Sequence, residues 1–100
     1  MADSDVVLVD ARDLDPAERD ALAASQVCRL PFDPAAIHAA LGGLGRTAVY
    51  RHVDVDVLDS SQLPGLRVPV GPGAALTQIE DCLAGIITAA DVTAACIACT

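Results

Sequence analysis

The order of patterns along this chain predicts an α/β fold with a parallel sheet, and two observations carry that expectation. Short apolar runs rich in Val, Ile, Leu and Ala recur without alternation, as strands covered on both faces do. Between them stand helix-start signals, so the chain reads strand, helix, strand, helix, strand, helix, strand, the alternation that a parallel sheet with right-handed crossovers requires. "VVLV" (residues 6–9) predicts the first strand. In "DLDPAERDALAAS" Asp15 is placed to cap a helix, with Pro16 in its first position and Glu18 three residues after the cap. "QVCRL" (26–30) predicts a second strand. "FDPAAIHAALGG" repeats the helix start with Asp33 and Pro34 and stops at Gly42 and Gly43. "TAVYRHVDVDV" (47–57) predicts the third and longest strand. After a Pro- and Gly-rich loop (63–73), "TQIEDCLAGIITAA" opens with Thr77 and Glu80 in capping-box register and spaces Ile79, Leu83, Ile86 and Ile87 to share one face. "VTAACIAC" (92–99) closes the chain as a fourth strand.

Composition narrows the function classes. One hundred residues make one small domain or part of a larger one; 53% are hydrophobic but only 2% aromatic, so the core must rest on small aliphatic side chains packed closely. A formal net charge of -8 argues against nucleic acid and anionic membrane surfaces as partners. No apolar stretch approaches the roughly 18 residues of a membrane span, and "MADSD" is acidic where a secretory leader is basic, so a cytoplasmic protein is expected. Cys28, Cys82, Cys96 and Cys99 fall inside apolar segments and read as buried reduced thiols; Cys96-x-x-Cys99 lacks the second pair that a zinc site needs.

The chemistry is concentrated in "HVDVDVLDSS" (52–61). If the strand runs through it, Asp54 and Asp56 project to one side with Cα atoms roughly 6.5–7 Å apart, and His52 and Tyr50 lie on that side further back. Two carboxylates so close repel unless a cation or donors neutralise them. The chain contains no Lys, and Arg46 and Arg51 precede the pair. A hard divalent cation, or two sharing a carboxylate and a water, is the economical answer. The plainer alternative is a strand that ends at Asp54 and leaves the aspartates in a hydrated loop.

Other acidic motifs fit poorly. A calcium loop begun at Asp54 needs Gly sixth and Glu twelfth, where Asp59 and Gly65 stand. Aspartate-based phosphatases of the haloacid dehalogenase type call for Thr or Val where Leu58 stands, and for a downstream Lys. A response-regulator receiver also requires a Lys and would place its acidic pair near the first strand.

"VYRHVDVDVLDSSQLPG" resembles the signature strand of the ureohydrolase family (arginase, agmatinase and formimidoylglutamase), an apolar run leading to D-x-D-x-x-D and a Pro-Gly loop. "PVGPGAALTQIE" resembles the family's Pro- and Gly-rich lead into a helix, and "VVLVDARDLDPAERDAL" its upstream strand, Gly-x-Arg-Asp and helix. The resemblance implies a three-layer α-β-α arginase-like fold, of which this chain would supply about four strands and three helices. It implies a binuclear Mn²⁺ centre that activates a bridging water to hydrolyse a guanidinium or formimidoyl C–N bond of a small cationic substrate, in a homo-oligomeric enzyme. Asp54 and Asp56 match the family's metal-ligating aspartates; Asp59 matches a third that supports the loop rather than binding metal, and His52 a packed or supporting position. His38 falls in a helix, partly solvated.

Several departures stand out. Asp10 replaces the Gly before "ARD", Ser60 replaces the Pro after Asp59, and Ala74 and Ala75 replace paired glycines. The family's Gly-Gly-Asp-His and Asp-x-His-x-Asp motifs, its catalytic His region and its substrate-gripping Glu have no counterpart. The chain therefore reads as the C-terminal portion of such an enzyme, with catalytic residues expected outside it. A non-catalytic module that keeps the fold is the alternative.

Overall fold

A computed structural model describes residues 1–45, 48–65 and 71–98. The four strands and three helices occur in the expected order: β1 (Val7–Val9), α1 (Pro16–Ala24), β2 (Cys28–Leu30), α2 (Pro34–Gly43), β3 (Ala48–Asp54), α3 (Leu76–Ala89) and β4 (Asp91–Ala98). All strand pairing is parallel. β1 pairs with β2 in the register Val7–Cys28 to Val9–Leu30, and β3 pairs with β4 from Ala48–Asp91 to Asp54–Ala98, with an irregularity between Val49 and Tyr50. Among the described residues these are two separate two-stranded sheets.

The helix starts follow from local chemistry. Asp15 accepts the Glu18 amide at 2.8 Å while the Glu18 carboxylate accepts the Asp15 amide at 3.0 Å, closing the expected capping box ahead of Pro16. Asp33 caps α2 through the Ala35 amide at 3.0 Å. Three boundaries differ from the sequence reading. Gly42 and Gly43 lie inside α2, and the chain turns at Gly45, whose φ of 77° is the left-handed conformation that glycine adopts without a steric penalty. The cap of α3 is Ala75, not Thr77: the Gln78 side chain reaches back to the Ala75 amide at 2.8 Å, which starts the helix before the expected box. β4, with eight residues, is longer than β3, with seven.

The core is small and aliphatic. Ile37 and Leu41 of α2 meet Cys82 of α3, with Val9, Leu30 and Ile86 around them; a second cluster joins Leu58, Ala74 and Ile79, and Phe32 touches both. α2 packs on β1, β2 and α3, while α3 also packs on β4. On α3 the buried stripe uses Ile79 and Cys82, whereas Ile87, expected on that stripe, is 60% exposed. The three described cysteines are free thiols. Only Cys82 is buried, Cys28 and Cys96 being half-buried, and Cys99 lies outside the described residues.

The surface is larger than a compact chain requires. At 6535 Å² it exceeds the about 5,300 Å² expected for a folded monomer of this mass, and Tyr50 and Ile97 stand 63% and 72% exposed on the β3–β4 pair. Paired strands with open edges and uncovered apolar side chains template association. The 100-residue chain is therefore expected to form oligomers or aggregates, raising the mass seen by light scattering at high concentration. A monodisperse 10.2 kDa species would refute this.

Candidate metal centre

The apolar run does not continue as a strand through both aspartates. β3 ends at Asp54, and Val55–Val57 form a single 3₁₀ turn. An Asp side chain competes with the strand ladder for nearby amides, and Asp54 Oδ1 here accepts the Asp56 amide at 3.4 Å. Asp54 and Asp56 thus lie at the carboxyl end of β3 but are not related by strand alternation. The plainer expectation, that the strand stops at Asp54, holds for the backbone; both residues are nevertheless half-buried. His52 and Tyr50 share the open face of β3. His52 is exposed. His38 is exposed on α2.

The loop beyond Asp56 is tied down by Asp59. Its Oδ1 accepts the Ser61 amide at 2.9 Å and the Ser61 hydroxyl at 2.5 Å, and its Oδ2 accepts the Gly73 amide at 3.2 Å. These donors hold the Asp59 carboxyl below its ordinary value, the Ser61 hydroxyl contributing most. The Asp59 amide in turn donates to the Ala74 carbonyl at 2.9 Å, and the Ala74 amide to the Val57 carbonyl at 3.2 Å. Ala74 and Ala75 adopt no left-handed conformation, so their replacement of paired glycines is accommodated. Ser60 opens a second 3₁₀ turn.

Sequence reasoning missed Arg12 as a part of this site. Its Nε lies 3.2 Å from Asp10 Oδ2, its Nη2 donates to the Asp56 carbonyl, and its Nη1 donates to the carbonyls of Gly71, at 3.0 Å, and Pro72. The "ARD" segment carried the only sequence sign of it. Asp10 has a φ of 54°, the left-handed region where glycine is favoured and Asp is among the better tolerated replacements. That conformation explains why a Gly was expected there, and the ion pair to Arg12 is what Asp adds.

Arg12, Asp13 and Asp56 share a cleft of about 150 Å³ with Asp10, Ala11 and Leu14. A neighbouring depression of about 300 Å³, lined by Leu8, Asp10, Ala11, Arg29, Leu30 and Pro31, lies at the carboxyl ends of β1 and β2. Burial raises the Asp56 carboxyl above its ordinary value, the Asp54 charge adds to this, Arg12 opposes it, and Asp13 raises it a little further. Negative charge is crowded at the cleft, while the guanidinium is spent on carbonyls and Asp10. A hard cation suits such a donor set. Among the described residues, however, no three His, Cys, Asp or Glu side chains converge as a complete metal cage.

The class defined by these features is an α/β protein with carboxylates gathered at the carboxyl ends of parallel strands, the usual ligand position in such sheets. No family model matches the sequence, and no curated protein matches it. Solved structures do match in three dimensions. The arginase of Bacillus caldovelox superposes with a TM-score of 0.88 at 20% identity, over 100% of this chain and 36% of that one. An arginase of Bacillus subtilis gives 0.85 at 24% identity, over 97% and 36%. A hypothetical agmatinase of Burkholderia thailandensis gives 0.78 at 18% identity, over 100% and 32%. The fold is therefore arginase-like, and the chain spans about a third of the length of these proteins. No described helix is long and apolar enough to cross a membrane.

Proposed function

We propose that this chain is the C-terminal portion of a manganese-dependent ureohydrolase and contributes Asp54 and Asp56 to a binuclear centre completed by residues outside it. The observation that carries the reading is the superposition of the whole chain on arginases with these two aspartates at the carboxyl end of β3, beside the Asp10–Asp13 loop. The donor set fits: carboxylate oxygens suit Mn²⁺, and the burial and the Asp54 charge that raise the Asp56 carboxyl are both offset by a cation. When bound, the metal pair supplies hydroxide from water at neutral pH. The chain's own part is to hold carboxylates at a fixed turn, to brace that turn through Asp59, and to present an acidic cleft to a cationic substrate. The substrate class is a small guanidino or formimidoyl compound, and the complete enzyme is a cytoplasmic homo-oligomer that binds neither nucleic acid nor membrane.

A non-catalytic module that retains the fold is the second reading, since the incomplete cage among the described residues accords with it as well as with a half-site. Electron paramagnetic resonance titration separates the readings. The wild-type chain should bind Mn²⁺ weakly, and Asp56→Asn should abolish that binding because a neutral amide is a poorer ligand for a hard cation. No binding by the wild type favours the non-catalytic module; tight binding refutes the half-site.

A further inference from the structure

We propose that Arg12 is a positioning residue for the Asp54–Asp56 carboxylates, acting as a clamp on the backbone that carries them; this rests on the ureohydrolase reading above. The 3₁₀ turn carrying Asp56 is only three residues long, and its last backbone bond runs from the Leu58 amide to the Val55 carbonyl at 3.1 Å. Such a turn is weakly self-supporting. Arg12 supplies what it lacks. Its guanidinium reaches 44 residues along the chain to the Asp56 carbonyl, and 59 and 60 residues to those of Gly71 and Pro72. Asp10 holds the Nε edge at 3.2 Å, and the two side chains are only 23% and 18% exposed.

The choice of acceptor matters. Arg12 hydrogen-bonds the peptide oxygen of Asp56, so the clamp does not consume the carboxylate oxygens that a cation needs. The planar fork spreads its donors over three nitrogens and meets four acceptors; a lysine ammonium carries its three donors on one nitrogen and cannot span them. Gly73 completes the device, since a Cβ there would lie 2.7 Å from Arg12 Nη1. The end of β1, the turn after β3 and the segment before α3 are thereby fixed to one cation, which sets the aim of the two aspartates.

The test uses the full 100-residue chain and Mn²⁺ alone. Arg12→Met should weaken Mn²⁺ binding about 10-fold, the lower end of what losing a partner behind a metal ligand costs. Arg12→Lys should not rescue it, and Arg19→Met, on the exposed face of α1, should leave it unchanged. Wild-type affinity in Arg12→Met overturns the proposal while leaving the metal reading intact. If Arg12→Met fails to fold, Asp10→Asn, which removes the charge that holds the Nε edge, must weaken binding by about 2–3-fold, between no effect and the full loss of an outer partner; unchanged binding overturns the clamp. Should the wild type bind no Mn²⁺, the metal reading fails and the clamp is judged by amide exchange at Leu58 and Ala74. Faster exchange in Arg12→Met then supports it, and unchanged exchange overturns it.

Discussion

In a longer chain that supplies the upstream and downstream segments the proposed enzyme requires, Asp56→Asn is expected to lower kcat/KM by more than about 100-fold, beyond the range typical of residues behind a metal ligand. The reason lies in charge and position. Asp56 is half-buried beside Asp54 and Asp13, and its carboxyl is raised above its ordinary value first by that burial and then by the Asp54 charge. On the proposed reading, replacing it with a neutral amide removes a hard-cation ligand from that site. Asp59→Asn supplies the contrast. The Asp59 carboxylate is engaged by Ser61 and Gly73, so its loss should loosen the loop and cost about 10–100-fold. Steady-state kinetics on guanidino and formimidoyl substrates, with manganese content measured alongside, decide the matter. A restored chain that binds Mn²⁺ yet turns over none of them hands the case to the non-catalytic module. If Asp56→Asn retains a tenth of wild-type activity, Asp56 is not a metal ligand.

What was legible in the sequence was mostly local. Asp15, Pro16 and Glu18 declare a helix start because all three act within one turn, and the same holds for Asp33. The alternation of elements was sufficient for the parallel α/β class, since each apolar run is short and each helix signal strong. Asp56 shows where local reading fails. Val55, Val57 and Leu58 continue the apolar run, but a side-chain bond from Asp54 to the Asp56 amide breaks the strand there, and two competing local preferences could not be ranked from composition. Thr77 and Glu80 formed a plausible box that lost to the Ala75–Gln78 pair two residues earlier. Arg12 was illegible for a different reason: its partners lie 44 to 60 residues away, and only the fold brings them together. Asp10 was legible as a departure, while its cause, a φ of 54°, was not.

Gly73→Ala is expected to destabilise the chain by about 1–3 kcal/mol, the usual cost of forcing an extra carbon into packed surroundings. Glycine is needed at this position for space rather than conformation, since the left-handed glycines are Gly45 and Gly65. An added Cβ would sit 2.7 Å from the Val57 carbonyl oxygen and 2.7 and 2.8 Å from the two terminal nitrogens of Arg12. The Val57 oxygen cannot retreat cheaply, because it accepts the Ala74 amide at 3.2 Å and belongs to the turn that carries Asp56. Nor can the guanidinium, which is held by Asp10 and three carbonyls. Gly85 is the control: it lies within α3 with nothing near its absent Cβ, so Gly85→Ala should stabilise by about 0.5–1 kcal/mol. For a domain of this size each kcal/mol moves Tm by about 4–8 °C, so circular-dichroism melts should separate the two variants in opposite directions from wild type. Gly73→Ala melting at or above wild type would show that the loop yields freely and that Arg12 does not pin it. Adding Arg12→Met to Gly73→Ala should recover part of the loss, because the contacts with the guanidinium vanish while the one with the Val57 oxygen remains.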